Sequence, residues 1–453
     1  MIKLRYLRSM TTAAIPVTKA KSMNNLKARE NPVVTKLQSK EFQSLFTPEL
    51  TKLISVFDKH KFELRIAGGA VRDLLMNIEP KDVDFATTAT PTQMKEMFVE
   101  EEIRLVNMNG EKHGTITPRI NDSVNFEVTT LRVDRVTDGR HAEVDFTTDW
   151  LLDSNRRDLT INSMFLGFDG SLYDYFYGFE DLKKRRVVFV GNADSRIKED
   201  YLRILRYFRF YGRIAGSPGN HDKETIEAIT ENISGLEKIS GERIWSELRK
   251  ILVGNFGLEM MEEMIKCGIC KYIRLPESPL NIEEMRRVYG TKQDLQPISY
   301  LTALVDSGEE ALNIHNRLKL SAFERDLAIF IAENRKFVGT DLKDVSDYKK
   351  RCTLHSNRKD FYEELLKYSG ETEIYKEFKE WEIPKFPLNG GILKQNKCPS
   401  GKVMGAVMSE LKAIWAEDNF ETSQSDLLSV HLPTVLQKIK INDFPNKKMK
   451  TER

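Results

Sequence analysis

Near Asp181 the hydrophobic pattern changes period, and this change constrains the fold more than any other feature of the chain. Before it, strand-like and helix-like segments alternate. Residues 62–66 read as a buried strand, broken by Gly68 and Gly69, and residues 70–76 as a short helix. Residues 83–86 read as a second strand. A helix follows at 91–98, with Thr90 or Thr92 placed to cap it. A third strand at 103–108 ends on the turn pair Asn109-Gly110. Residues 113–120 and 123–131 form an expected hairpin around Asn121-Asp122. After Asp181 only residues 186–190 look like a strand. The rest has helical periodicity, including 199–213, 223–231, 241–253 and 256–266. Breaks containing proline at 275–279 and 384–388 are candidate boundaries. The expected architecture is an α/β head with a small mixed sheet, followed by a long all-α region.

The 453 residues are 40% hydrophobic and 30% charged, a composition that permits ordinary cores. The net charge of +2 is silent about nucleic acid, so any such surface requires local clustering. Four cysteines in this length make no disulfide framework. Cys267 and Cys270 form a lone C-x-x-C, with Cys352 and His355 far off in sequence. Buried thiols are the expectation, because a structural metal site needs four ligands. No apolar run is long enough for a transmembrane helix. Up to Arg29 the chain has no acidic residue, while Lys3, Arg5, Arg8, Lys19, Lys21, Lys27 and Arg29 are basic. That composition fits either a mitochondrial transit peptide or a basic disordered tail. Met10 and Met23 offer later starts. Lys447, Lys448, Lys450 and Arg453 make a basic end, read as solvated, as a nuclear signal or as an RNA contact.

The chemistry concentrates in three places. At 65–73 a strand runs into Gly68-Gly69 and a helix that opens toward Arg72 and Asp73. Glycines permit close backbone approach, and a helix N-terminus offers free N–H groups to phosphate. Asp82-Val83-Asp84 follows. On a strand, positions i and i+2 share a face, so both carboxylates are expected to project together, with Val83 and Phe85 toward the core. Paired carboxylates repel unless a cation lies between them. Mg²⁺ suits a few carboxylates plus phosphate oxygens. In the alternating stretch 124–129, Val124, Phe126 and Val128 are expected to face the core. Glu127 is then either a third carboxylate or an ordinary polar-face residue. Arg156-Arg157-Asp158 places guanidinium forks before an apolar run.

The third place is 199–213. Read as one helix, it puts Tyr201, Ile204, Leu205, Phe208 and Tyr211 in one sector and Arg203, Arg206, Arg209 and Arg213 opposite. Asp200 and Arg203 then stand at i, i+3. Such a pair is either a simple ion pair or a hydrogen-bonding edge that matches cytosine and adenine, whose exocyclic amine neighbours a ring nitrogen.

These motifs, in this order across 65–252, resemble the CCA-adding enzymes, or tRNA nucleotidyltransferases, of the bacterial and eukaryotic class. Residues 68–85 resemble the family's metal-binding motif, and Arg156-Arg157-Asp158 its ribose and triphosphate motif. The stretch 174–181 resembles its hinge, and Glu199-Asp200-x-x-Arg203 its nucleotide-selecting motif. Residues 240–248 resemble its helix-stabilising motif, and 132–148 lies where the family has a flexible loop. The resemblance implies a polymerase-β-like nucleotidyltransferase head with an all-α neck, body and tail. The implied segments are 1–30 (transit-like), 31–177 (head), 178–255 (neck with the nucleotide-selecting helix), 256–345 (body) and 346–453 (tRNA-binding tail). It implies Asp82 and Asp84 as metal ligands with Mg²⁺, and Glu127 beside them as a catalytic carboxylate. The implied nucleotide-binding set is Gly68, Gly69, Arg72, Asp73, Arg156, Arg157, Asp158, Asn162, Asp200, Arg203, Arg206 and Arg209. The implied reaction adds C, C and A to a tRNA 3′ end from CTP and ATP, with no nucleic-acid template and with release of pyrophosphate. A bacterial-type poly(A) polymerase and a non-catalytic RNA-binding protein on the same fold are the alternatives. The expected location is the mitochondrion, extended to cytoplasm and nucleus by later starts. No protein partner is inferable.

Overall fold

The computed structural model describes residues 28–106, 108–136, 143–355 and 358–443. The transit-like segment through residue 27, with Met10 and Met23, lies outside the described residues. So do positions 137–142 of the expected loop and the basic end with Lys447, Lys448, Lys450 and Arg453. Two compact units emerge, Met1–Asp200 and Tyr201–Arg453.

The first unit is built on a nine-stranded sheet. Its strands are β1 (Val33–Lys36), β2 (Leu64–Ala67), β3 (Asp84–Thr87), β4 (Arg104–Val106), β5 (Thr115–Ile120), β6 (Val124–Asn125) and β7 (Glu127–Thr130), with β8 and β9 elsewhere and β10 and β11 completing it. The strands β8 (Arg132–Val136) and β9 (Glu143–Phe146) pair as a separate ribbon; β10 is Phe165–Leu166 and β11 is Ser171–Tyr173. The path runs β1-β11-β10-β2-β3-β7-β5-β4, with β6 on β5. All neighbours along it are antiparallel except β3 and β7, which are parallel. Helices α1 (Lys40–Gln43), α2 (Pro48–Lys59), α3 (Gly69–Leu75), α4 (Pro91–Glu100), α5 (Trp150–Asn155), α6 (Gly178–Lys183) and α7 (Ala193–Glu199) complete the unit.

Register gives the sheet two unlike faces. Ile66 pairs with Phe85, Phe85 with Val128, and Val128 with Ile116. All four are essentially fully buried. Burying each such side chain is worth roughly 1.5–3 kcal/mol. Phe57 of α2 and Phe98 of α4 meet edge to face at 5.9 Å and are also fully buried. Thr90 caps α4 in a complete capping box with Gln93, and Pro91 starts the helix. On the opposite face, Ala67, Asp84 and Glu127 stand in one row and Arg65, Ala86 and Thr129 in the next.

The second unit is helical in its described residues. It begins with α8 (Leu202–Ile214), α9 (Lys223–Asn232), α10 (Gly241–Leu252) and α11 (Gly257–Lys266). Further along, one core gathers Tyr348, Tyr362, Leu365, Leu366 and Phe378, and another gathers Leu393, Val407, Leu411, Trp415 and Leu427. Cys267, Cys270 and Cys352 are free and buried, as expected.

Several local expectations are corrected. Asn109 and Gly110 lie within a 3₁₀ helix (Met108–His113) instead of ending a strand at a turn. The hairpin around Asn121 and Asp122 forms, with both residues at positive φ. Its second arm breaks at Phe126, however, so Val124 is 37% exposed and faces no core. Residues 186–190 make only an isolated bridge, Leu159 to Phe189, because no neighbouring strand continues the pairing. Asp82 precedes β3 and lies in a bend. The stretch 199–213 is not one helix. The α7 helix ends at Glu199, Asp200 takes an extended conformation (φ −155°, ψ 107°), and α8 starts at Leu202. The helical i, i+3 argument for Asp200 and Arg203 therefore fails.

Candidate active site

The centre of the site is set by one register. The two parallel strands β3 and β7 place Asp84 directly opposite Glu127. Adjacent strands lie about 4.8 Å apart, so the two carboxylates leave the sheet side by side. Asp82 approaches from the bend before β3, without needing the strand geometry. All three residues are solvent-accessible. Partial burial against the sheet raises the Asp84 carboxyl above the usual range; Glu127 and Asp82 raise it further, and Arg157 opposes them. Two acids acting on Asp84, with one guanidinium in partial compensation, make a local deficit of positive charge. The donor set is all oxygen, as a hard divalent cation requires.

Beside the acids, the Gly68-Gly69 turn is fixed by close approach. Gly68 has φ 66° and caps α3, and a Cβ there would lie 3.3 Å from Nη1 of Arg157. Arg72 is buried at 3% exposure. Its Nε and Nη2 donate to Asp73 Oδ1 at 3.1 and 2.9 Å, and its Nη1 donates to Asn162 Oδ1 at 2.6 Å. Asn162 in turn donates to Asp158 Oδ1 at 3.5 Å. Arg157 donates from Nη1 to the Asn162 carbonyl at 3.3 Å, and its guanidinium lies 4.7 Å from the Phe165 ring centre. Arg72, Asp73, Arg157, Asp158 and Asn162 are thus gathered into one polar network, with Gly68 close to Arg157 and Gly69 close to Arg72.

Asp153 holds the remaining arginine and was missed in the sequence. It is 1% exposed and binds Arg156 at 2.8 Å, Arg157 at 3.0 Å and the backbone N–H of Arg132 at 3.1 Å. Burial pushes its carboxyl up, but Arg157 and Arg156 outweigh this and hold it below the usual range. Its spacing was a usable signal, since Asp153 stands three and four residues before the arginines. The hinge-like stretch is also tightly held. Asp174 accepts from the N–H groups of Phe176, Gly178 and Phe179 at 3.0–3.2 Å, and a Cβ on Gly178 would meet the Thr160 carbonyl at 2.1 Å.

In the second unit, α8 carries Arg203, Arg206 and Arg209. Arg203 is only 9% exposed, so it does not sit on a purely solvated face. Arg209 binds both carboxylate oxygens of Glu247 on α10, at 3.1 and 3.2 Å, and Arg206 approaches the same residue at 4.0 Å. Glu247, 5% exposed, lies in the stretch 240–248 that resembles the family's helix-stabilising motif, but its partners on α8 are not readable there, because a tertiary contact across 38 positions leaves no local pattern.

Known proteins resemble this chain over most of its length. A family model for the poly A polymerase head domain matches residues 64–188, and one for a probable RNA- and SrmB-binding site of polymerase A matches 221–278. The mitochondrial CCA tRNA nucleotidyltransferase 1 of Danio rerio is 51% identical over 400 residues, covering 87% of this chain and 92% of the relative. The protein of the same name from Homo sapiens is 51% identical over 401 residues, with the same coverage. The CCA-adding enzyme of Bacillus stearothermophilus, solved in complex with CTP, superposes with a TM-score of 0.71 at 22% identity, over 90% of this chain and 99% of that one. With 51% of the aligned residues identical to such relatives over 92% of their length, this chain belongs to the CCA tRNA nucleotidyltransferase family.

Proposed function

We propose that Asp82, Asp84 and Glu127 form the catalytic centre at which this enzyme adds CCA to the 3′ end of tRNA from CTP and ATP. The pairing of Asp84 with Glu127 across β3 and β7 is the observation that carries the reading. The local charge deficit suits Mg²⁺, with Asp82 and Asp84 as its ligands. Bound there, Mg²⁺ supplies the positive charge that activates the attacking hydroxyl and stabilises the departing pyrophosphate. Gly68, Gly69, Arg72, Arg156, Arg157 and Asn162 hold the ribose and triphosphate, with Asp73, Asp153 and Asp158 fixing the arginines and the amide. Asp200 and Arg203 select the base, and Arg206 and Arg209 support that selection through Glu247. The finer division into head, neck (178–255), body (256–345) and tail (346–453) follows the family likeness, with the tail on tRNA. The mitochondrial names of the relatives support a mitochondrial location, and Met10 and Met23 would yield forms for cytoplasm or nucleus.

The test is incubation with tRNA lacking CCA and all four nucleoside triphosphates, followed by product sequencing. A terminating CCA is expected; long A tracts would support a poly(A) polymerase instead. Asp84→Ala should lower incorporation by at least about a thousandfold while tRNA binding in a gel-shift assay persists. Incorporation at the normal rate would exclude the carboxylate assignment.

A further inference from the structure

Beyond Glu127 the face of the sheet that carries the acids continues onto β5 and β4, and there it turns basic. Thr115 of β5 pairs with Thr129 of β7, and their hydroxyls lie 2.9 Å apart, so both stand on the face of Glu127. Arg119 is four residues further along β5 and shares that face. It pairs with Asn125 on one side and with Arg104 of β4 on the other. The Phe126 N–H donates to the Pro118 carbonyl at 3.1 Å, which carries the β5–β7 register on to Asn125. Asn125, Arg119 and Arg104 thus form a row next to that of Asp84 and Glu127. It lies two residues, roughly 7 Å, along the strands. That is the end of the sheet where Asp82 and the Gly68 turn also stand.

Two arginines directly opposite each other on neighbouring strands repel. No carboxylate relieves them. Arg119 donates to neutral groups, from Nε to the Asp122 carbonyl and from Nη1 to Asn125 Oδ1, both at 3.1 Å. Arg104 is exposed and has no hydrogen bond or ion pair among the described residues. The acids nearest in sequence, Glu102 and Asp122, are exposed and form no ion pair with either arginine among the described residues. At Asp84 the opposing cation is Arg157, with no contribution from Arg104 or Arg119.

Position decides the ligand. In an in-line transfer the attacking hydroxyl and the departing pyrophosphate lie on opposite sides of the reacting phosphorus. Gly68, Arg72 and Arg157, proposed above to hold the triphosphate, lie on the β2 side of the acids. The β5 side is left for the strand that brings the hydroxyl, and an RNA strand presents phosphodiesters there.

We infer that Arg104 and Arg119 clamp the backbone phosphate at the 3′ end of the RNA primer and so aim its terminal hydroxyl at Asp84 and Glu127. The inference rests on the catalytic reading given above. Guanidinium forks take phosphate oxygens in pairs, and a phosphate between the two arginines removes their repulsion across β4 and β5.

The test is Arg104→Gln in the full chain, assayed on tRNA lacking CCA. The kcat/KM for tRNA should fall at least about tenfold, as for a lost charge-assisted hydrogen bond. The dependence of log Kd for tRNA on log salt should become shallower by about 0.7–0.9, the loss of one phosphate contact. CTP affinity in equilibrium dialysis should stay at the wild-type value. The thermal midpoint should not fall, because the substitution removes a like-charge pair. Arg104→Lys, which keeps the charge, should restore the salt slope. An unchanged kcat/KM and salt slope would overturn the inference. Weakened CTP binding would do so too, by assigning the arginines to the nucleotide, and a lowered midpoint would assign them to the fold. Normal incorporation by Asp84→Ala would instead defeat the catalytic reading, whereas wild-type kinetics in Arg104→Gln defeats the primer clamp alone.

Discussion

Asp153 shows how much one buried carboxylate organises. It holds Arg156 and Arg157 and takes the Arg132 N–H, all at 1% exposure. Removing one partner of a buried ion pair strands the other charge and costs roughly 3–5 kcal/mol. Asp153→Ala should therefore lose about that much stability in denaturant melts and raise the KM for nucleotides as Arg157 moves from the Asn162 carbonyl. A variant with wild-type stability would show that the arginines are held elsewhere. Asp200→Ala should relax the preference for CTP and ATP with little effect on metal dependence. Unchanged selectivity in single-nucleotide assays would remove Asp200 from base selection. At this scale the sequence was readable wherever spacing along one segment suffices, as for Asp84 or Gly68. It was silent on the partners of Glu247, which depend on α10 packing against α8.

At the scale of elements, the informative case is α8. Its apolar sector was legible from the period of Ile204, Leu205, Phe208 and Tyr211, and all four are buried. Its start was not legible, because periodicity continues across Asp200 while the backbone does not. The same helix packs against His221. The His221 Nδ1 lies 2.9 Å from the Tyr207 hydroxyl, its ring stacks on Tyr211 at 3.8 Å, and its buried Nε2 has no hydrogen-bond partner among the described residues. Burial lowers its basicity; Glu263 opposes this and Lys266 adds to it. A histidine with a lowered folded pKa binds fewer protons folded than unfolded. Its stabilising effect is therefore present above the ordinary value of 6.5 and is lost as pH falls through the lowered folded value. Thermal midpoints should drop as pH goes below 6.5, and His221→Gln should flatten that drop. An equally steep drop in the variant would assign it to other groups.

At the scale of the whole molecule, the two compact units predict a calorimetric profile with more than one transition. Added divalent cation should raise only the transition of Met1–Asp200, which contains Asp82, Asp84 and Glu127. A single transition, or an equal shift in both, would contradict separate units or this metal assignment. The sequence by itself determined the fold class, because strand and helix periods are local and change visibly near Asp181. It also singled out the acids and arginines proposed for the site, because motif spacing is local too. Only the tertiary structure decided that Asp84 stands opposite Glu127, since β3 and β7 are parallel neighbours more than forty residues apart and no one-dimensional pattern encodes their register. It likewise decided that Asp82 reaches the site from a bend and that Asp200 lies outside a helix. Both depend on where backbone hydrogen bonding begins and stops, which the surrounding packing sets.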